Sequence, residues 1–277
     1  MNWPKTMLMV SPEYFEVKYS INPHMLDKDG QLNKIDKTKA LQQWTGLKST
    51  FETLGMSVEV IPGQEDLPDM VFCANQTFPF TKNGERHILL SEMDSEYRQP
   101  EVQFFESWAK NKTYTIHKLN NKPFEGMGDA LWNYETNTIF AGYGFRTTPA
   151  VYSEIEKIVD QKIITFELKD SRFYHLDTCL AILNKDTAAY VPEAFTQEGL
   201  STLNQNFSNL IAVPLDEAEA ALAGNMCTPN GKDIIIQQGA LKTNQALNDN
   251  GFNVLEVETS EFLKSGGSVF CMKQLLF

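Results

Sequence analysis

Cysteine and histidine are scarce in this chain of 277 residues, with four of each. The cysteines stand apart at positions 73, 179, 227 and 271, and no Cys-x-x-Cys pair occurs. That spacing argues against structural zinc and against a disulfide framework. It suits a reducing compartment, so the expected location is the cytoplasm. No His, Asp and Glu cluster has metal-ligand spacing, and no Gly-Lys-Ser/Thr phosphate loop is present, so neither a metal nor an organic cofactor is expected. Positive charge is also short: Lys and Arg total 24 against 36 Asp and Glu, a net charge of −12. Such a chain repels a phosphate backbone, which excludes nucleic acid as the main partner. A small cationic ligand is compatible with it. No apolar run approaches the roughly 20 residues of a membrane helix. The start Met1-Asn2-Trp3-Pro4-Lys5 lacks the basic end and apolar middle of a secretion signal. Linkers, low-complexity tracts and composition breaks are missing too, so residues 1–277 are expected to form a single domain.

What is present is a recurring unit of helix, short turn and strand. Residues 36–54 carry Ala40, Trp44, Leu47, Phe51 and Leu54 at steps of three and four, one apolar helical face. Gly55 breaks the pattern, and residues 57–62 alternate like a strand. The same order recurs in residues 96–110 before 114–119, 148–159 before 162–166, 193–205 before 210–214, and 239–249 before 252–257. Thr148-Pro149 opens its helix with a hydroxyl cap and a proline. Further strand-like runs lie at residues 70–72, 87–90, 138–141 and 233–236. Five α/β modules that cannot each bury a core alone should pack around a common axis. An open α/β sheet and a two-domain chain are the other arrangements this pattern allows.

Equivalent positions of pseudo-symmetric modules lie near one axis, so the segments that follow each unit should converge. They are Leu67-Pro68-Asp69 with Cys73-Ala74-Asn75, then Glu125-Gly126-Met127-Gly128-Asp129, Tyr174-His175-Leu176-Asp177, Ala223-Gly224-Asn225, and Gly266-Gly267-Ser268-Val269-Phe270-Cys271. Cys271 follows two glycines that permit a close backbone approach. It reads either as a nucleophile or as a buried strand cysteine. Cys73, Cys179 and Cys227 sit in apolar, strand-like runs and read as core. His175 beside Asp177 is either an oriented acid–base group or a satisfied core histidine. His87 and His117 look like ordinary strand positions, and His24 lies in an N-terminal loop. Taken alone, Glu125 and Asp129 on their glycine-rich stretch read as solvated acids of a β-turn.

The ordered set of motifs resembles the guanidino-group modifying superfamily, which includes arginine deiminases, dimethylarginine dimethylaminohydrolases, amidinotransferases and arginine dihydrolases. The resemblance runs from Ser11-Pro12-Glu13 and Ile21-Asn22-Pro23-His24 through Gly142-Tyr143-Gly144-Phe145-Arg146 to Cys271. The motifs around Asn22 and Asn75 are closest to the arginine dihydrolase branch. Gln76-Thr77 departs from that branch, and Asn75 stands where deiminases and dimethylarginine hydrolases carry an aspartate. The resemblance implies a five-bladed pseudo-symmetric α/β propeller of ββαβ modules around a central site. It implies Cys271 as nucleophile, His175 as general acid/base and Glu125 as the carboxylate partnering the histidine. It further implies that Asp177 grips a guanidinium, that Asp69 and Asp129 line the pocket, and that Arg146 and Arg98 hold a substrate carboxylate. Asn75 and Asn22 are candidates for controlling how a ureido intermediate is held. The cyclodeaminase domain fused to some dihydrolases is not expected after Phe277. The implied activity is hydrolysis of a small cationic guanidino substrate, foremost free arginine. A dimethylarginine hydrolase, an amidinotransferase and a non-catalytic arginine-binding module are the alternatives. Neither a membrane nor a nucleic acid is an implied partner, and a homo-oligomer is left open.

Overall fold

Each of the five periodic segments forms its helix and its strand. The computed structural model describes residues 3–120 and 122–277; of the N-terminal segment read above, Met1 and Asn2 lie outside the described residues. The first helix, Lys37–Thr53, is capped by the Asp36 side chain, which accepts from the Lys39 N–H at 3.0 Å. It buries Ala40, Trp44, Leu47 and Phe51 on one face. Gly55, at φ +84, turns the chain into the strand Ser57–Ile61. The other pairs are Val102–Asn111 with Thr115–His117, Tyr152–Val159 with Ile163–Glu167, Gln197–Asn206 with Asn209–Ala212, and Leu241–Asp249 with Asn253–Val257. The second helix starts later than its periodicity suggests. Pro100 has no N–H to donate and sits in the 3-10 turn Gln99–Glu101 that precedes the helix.

In every unit the strand after the helix pairs in parallel with the strand before it. Thr6–Val10 thus pairs with Ser57–Ile61, and Asp233–Gln237 with Asn253–Val257. In three units an antiparallel strand precedes that pair, as Thr77–Lys82 does for Glu85–Leu90. In the last unit a single antiparallel bridge, Cys227 to Ile235, takes its place. In the first it is supplied by the far end of the sequence: Gln274–Leu276 pairs antiparallel with Thr6–Val10, Met7 opposite Leu275. The result is a mixed α/β fold with five separate small sheets among the described residues, in place of a single open sheet.

The run 70–72 is not a strand. Pro68–Val71 forms a 3-10 turn, closed by Met70 N–H to Leu67 O and Phe72 N–H to Asp69 O, because Pro68 supplies a preset turn geometry and no ladder donor. Cys73 follows that turn, Cys179 closes the turn Leu176–Thr178, and Cys227 makes only its isolated bridge, so none lies in a regular strand. All three are nevertheless buried, as core residues. The largest apolar cluster runs from Met7 and Phe51 through Phe78 and Trp132 to Cys271 and Leu275. Each large side chain so buried contributes roughly 1.5–3 kcal/mol, and the cluster anchors the backbone that carries Cys271. Among the described residues no helix is long and apolar enough to cross a membrane.

Candidate active site

The glycine-rich stretch folds as one helical turn, Gly126–Asp129, and not as a solvated β-turn. Glu125 and Asp129 are buried. The glycines explain why: a Cβ at Gly126 (φ +53) would lie 2.6–2.9 Å from the carbonyl oxygens of Thr77, Asn75 and Ala74. A Cβ at Gly128 would lie 2.2 Å from Asn75 Nδ2 and 3.4 Å from the His175 ring. The absent side chains let this turn press against its neighbour and carry both acids inward.

Glu125 Oε2 lies 2.6 Å from His175 Nε2 and accepts from Arg146 Nη1 at 3.2 Å, and Oε1 accepts from the Asp94 N–H at 3.1 Å. Burial alone would push its carboxyl up, but Arg146 and His175 together hold it well below the usual carboxylate range. Glu125 is therefore an ionised partner that orients the imidazole. Asp129 accepts from Thr147 Oγ1 at 2.7 Å and from the Leu176 N–H at 3.0 Å. Burial raises it to about 6. Its bonds tie the Glu125 turn to the His175 segment.

The Cys271 sulfur is buried and donates to Asp177 Oδ2 at 3.2 Å. Burial, with the adjacent Asp177 charge, pushes the thiol well above its ordinary value, and burial lifts Asp177 to about 7. The pair thus rests with a proton between sulfur and carboxylate. Gly266 and Gly267 permit this placement. A Cβ on Gly266 (φ +82) would lie 2.7 Å from Asn22 Oδ1, and one on Gly267 2.3 Å from the Phe72 ring.

Cys271 and His175 line one cavity together with Asn22, Asp69, Asn75, Arg98 and Arg146. Asn22 donates to Ser265 O at 3.0 Å. Asp69 accepts from Ser265 Oγ at 3.1 Å, and burial pushes its carboxyl up against the pull of Arg98. Arg98 is largely occupied: it forks onto Glu101, donates to Asn75 Oδ1 at 2.9 Å, and caps the carbonyls of Asp69 and Phe72. Among the described residues Arg146 donates only to Glu125 and, at 2.7 Å, to Ile21 O, and it lies 4.8 Å over the Tyr174 ring. Asp177, Glu125 and Asp129 stand just behind the lining. His24 instead pairs with Arg172 O at 2.9 Å, while His87 and His117 meet each other across neighbouring strands.

Three buried polar atoms here have no hydrogen-bond partner among the described residues: Asp69 Oδ2, Asp177 Oδ1 and Asn75 Nδ2. Asp69 lines the cavity with the Tyr19 side chain against it, and Asp177 stands behind the Cys271 sulfur; an unpartnered carboxylate oxygen can take an N–H of a planar cation. Among the described residues no group of three His, Cys, Asp or Glu side chains is placed to hold a metal ion.

Sequence reasoning gave no role to Asn225. Its Nδ2 donates to Cys271 Sγ at 3.2 Å and to Asp177 O at 2.8 Å, and its Oδ1 accepts from the N–H groups of Phe270 and Cys271. Its position in the segment after the fourth unit was the available signal. Tyr174 and Ser265, which brace the same cavity, carried the same signal in the segments after the third and fifth units, and Thr147 stood next to Arg146; Glu101 carried none.

A mixed α/β fold in which a thiol, an imidazole and an acid line one cavity, with further acids behind them, agrees with the resemblance to the guanidino-group modifying superfamily. Residues 11–277 match the family described as N,N dimethylarginine dimethylhydrolase, eukaryotic, and the chain belongs to that family. It is 34% identical to the bifunctional arginine dihydrolase/ornithine cyclodeaminase AgrE of Nostoc sp., over 96% of this chain but 37% of that protein. The chain thus spans little more than a third of that relative. It is also 34% identical to the N(G),N(G)-dimethylarginine dimethylaminohydrolase of Mycobacterium tuberculosis, over 95% of this chain and 83% of that protein. Among solved structures, the product-bound N-terminal domain of the cyanobacterial arginine dihydrolase ArgZ superposes with a TM-score of 0.92 at 31% identity, covering 98% of this chain and 97% of that one.

Proposed function

We propose that this chain is a cysteine-dependent hydrolase of a guanidino substrate, free L-arginine foremost, built as a single five-bladed α/β propeller domain. The observation that carries the reading is the unpartnered carboxylate oxygen of Asp69, on the wall of the cavity that Cys271 and His175 line, with that of Asp177 behind the sulfur. A guanidinium there gains charge-assisted bonds to both acids. Its positive charge also favours the thiolate, so as the cation arrives the sulfur gives up its proton to His175, which carries it to the leaving nitrogen. Cys271 Sγ then attacks the guanidinium carbon, and His175 protonates the departing ammonia. The thiouronium adduct is hydrolysed by a water that His175 activates, which yields citrulline and frees the thiol. A second round on the ureido carbon would give ornithine, carbon dioxide and another ammonia. Asn75 and Asn22 are the residues assigned to holding the ureido group for that round. Arg146, with more unpartnered donors than Arg98, is the better partner for the α-carboxylate.

Support for the dihydrolase branch comes from the names of AgrE and ArgZ; the family description and the mycobacterial relative support a dimethylarginine hydrolase. Incubation with arginine, with dimethylarginine, and with arginine plus glycine separates the readings. Ornithine with two ammonia per arginine identifies a dihydrolase, citrulline a deiminase, dimethylamine the methylated-substrate branch, and guanidinoacetate a transferase. Arginine binding without turnover would leave a binding module and overturn the proposal. Cys271→Ser should abolish turnover while substrate affinity persists, measured by calorimetry; an active variant would remove the covalent scheme.

A further inference from the structure

Gln76, where the sequence departs from the dihydrolase branch, and Glu101 have no part in the scheme above, yet both are buried. Gln76 Nε2 donates to Glu101 Oε2 at 2.6 Å. Glu101 in turn takes the Nε and Nη2 edge of the Arg98 guanidinium, at 2.9–3.2 Å. A fork of this kind fixes the plane of a guanidinium as well as its place. Nη2 also reaches the carbonyl oxygens of Asp69 and Phe72. That leaves Nη1, whose partner among the described residues is Asn75 Oδ1, at 2.9 Å.

Arginine carries N–H donors and no acceptor, so only the oxygen end of the Asn75 amide can face it. The nitrogen end is thereby sent the other way. The Asn75 main chain is pinned as well, its carbonyl accepting from Ser91 Oγ at 2.5 Å. Asn75 Nδ2 is buried and has no hydrogen-bond partner among the described residues. It lies where Gly128 has no side chain, since a Cβ there would stand 2.2 Å from Nδ2 and 3.4 Å from the His175 ring. Asn75 and His175 line the same cavity. A guanidinium offers donors only, so it cannot satisfy this nitrogen. Once one guanidinium nitrogen has been replaced by oxygen, the ureido group offers a carbonyl that can. A site whose buried donor needs an acceptor discriminates against a ligand that lacks one.

We infer that Gln76 and Glu101 are positioning residues for the choice of product: by clamping Arg98 they hold the Asn75 amide with Nδ2 free, which favours keeping a ureido group in the site over releasing it. Neither residue touches the substrate; both act through Arg98 on Asn75. The inference rests on the guanidino chemistry proposed above.

Calorimetry on Cys271→Ser, in which turnover is stopped, tests this with arginine and citrulline as the two ligands. Adding Glu101→Gln removes the charge that holds the fork. It should weaken citrulline binding by about tenfold relative to arginine binding, the worth of one hydrogen bond. In a background that also carries Asn75→Ala, the same substitution should leave the ratio of the two affinities unchanged. An equal loss for both ligands, or a changed ratio that persists without the Asn75 amide, would reduce Glu101 to an ion pair that supports the fold and overturn the inference. Cys271→Ser that binds arginine and ignores citrulline would overturn it too, with the guanidino reading intact; binding of neither ligand would remove both. Should Glu101→Gln fail to fold, Gln76→Met decides, because it deletes one donor to the same carboxylate and leaves the ion pair in place. Its citrulline preference should fall by a smaller factor, and an unchanged ratio would overturn the inference.

Discussion

Replacing Asn225 with alanine probes how the protein prepares its sulfur. The amide uses both ends: Oδ1 accepts from the Phe270 and Cys271 N–H groups at 3.1 and 3.3 Å, and Nδ2 donates to Cys271 Sγ at 3.2 Å and Asp177 O at 2.8 Å. Truncation leaves the buried Cys271 N–H unpaired and deletes the other bonds, which together should destabilise the fold by about 2–5 kcal/mol. The chemical effect is separable. A hydrogen bond to a charged acceptor contributes about 1.5–3 kcal/mol, and about 1.4 kcal/mol is one pKa unit. Loss of the donor should therefore raise the apparent pKa of the Cys271 thiol by about one to two units. Asn225→Asp retains an Oδ1 acceptor for the backbone but places negative charge against the sulfur, so its shift should be larger. The assay is the pH dependence of iodoacetamide labelling at Cys271, quantified on the modified peptide by mass spectrometry, beside kcat on the best substrate. Folded Asn225 variants with an unshifted labelling profile and unchanged kcat would show that the amide merely props the backbone, and the argument would fail.

Gly128→Ala should bring a methyl within 2.2 Å of Asn75 Nδ2, and Asn75 cannot retreat without giving up its 2.9 Å bond from Arg98. A loss of about 1–3 kcal/mol of stability and a fall in kcat are expected from melting curves and initial rates; wild-type values in both would contradict the close approach. Glu125→Gln removes the carboxylate between His175 and the buried Arg146, at a cost of about 3–5 kcal/mol. Because the Glu125 pKa is depressed in the folded protein, its contribution is fully present above the unfolded value and shrinks as pH falls below it. Urea unfolding should therefore show the gap between wild type and Glu125→Gln narrowing below about pH 4.3. Asp129 and Asp177, raised to about 6 and about 7, slope the other way, losing stability as pH climbs toward those values, but both proteins share that trend. A gap constant with pH would mean that folding leaves the Glu125 pKa unshifted, and a gap that widens toward low pH that the folded protein holds Glu125 protonated; either would refute the ionised partner.

The five helix and strand pairs were legible because their signal is local. Ala40, Trp44, Leu47 and Phe51 share a face at helical spacing whatever the rest of the chain does. Punctuation such as Gly55 is equally local. The motifs around Glu125, His175 and Cys271 were legible as motifs, since glycines beside chemistry-bearing residues mark tight packing in any fold. Residues 70–72 misled because an apolar triplet says nothing about where its backbone donors go, and Pro68 had already committed them to a turn. Contacts between distant segments were decided only in three dimensions. The antiparallel strand of the first sheet comes from Gln274–Leu276, a pairing that no local periodicity encodes. Glu125 and Asp129 looked like solvated turn acids until Thr77, Asn75 and His175 closed over them. Asn225 reaches Cys271 across 46 positions of sequence. Sequence by itself determined which residue types stood ready for guanidino chemistry and which short elements would carry them. The tertiary structure decided which polar atoms stay unpaired around the sulfur, because burial and long-range hydrogen bonding are properties of the assembled fold and of no single segment.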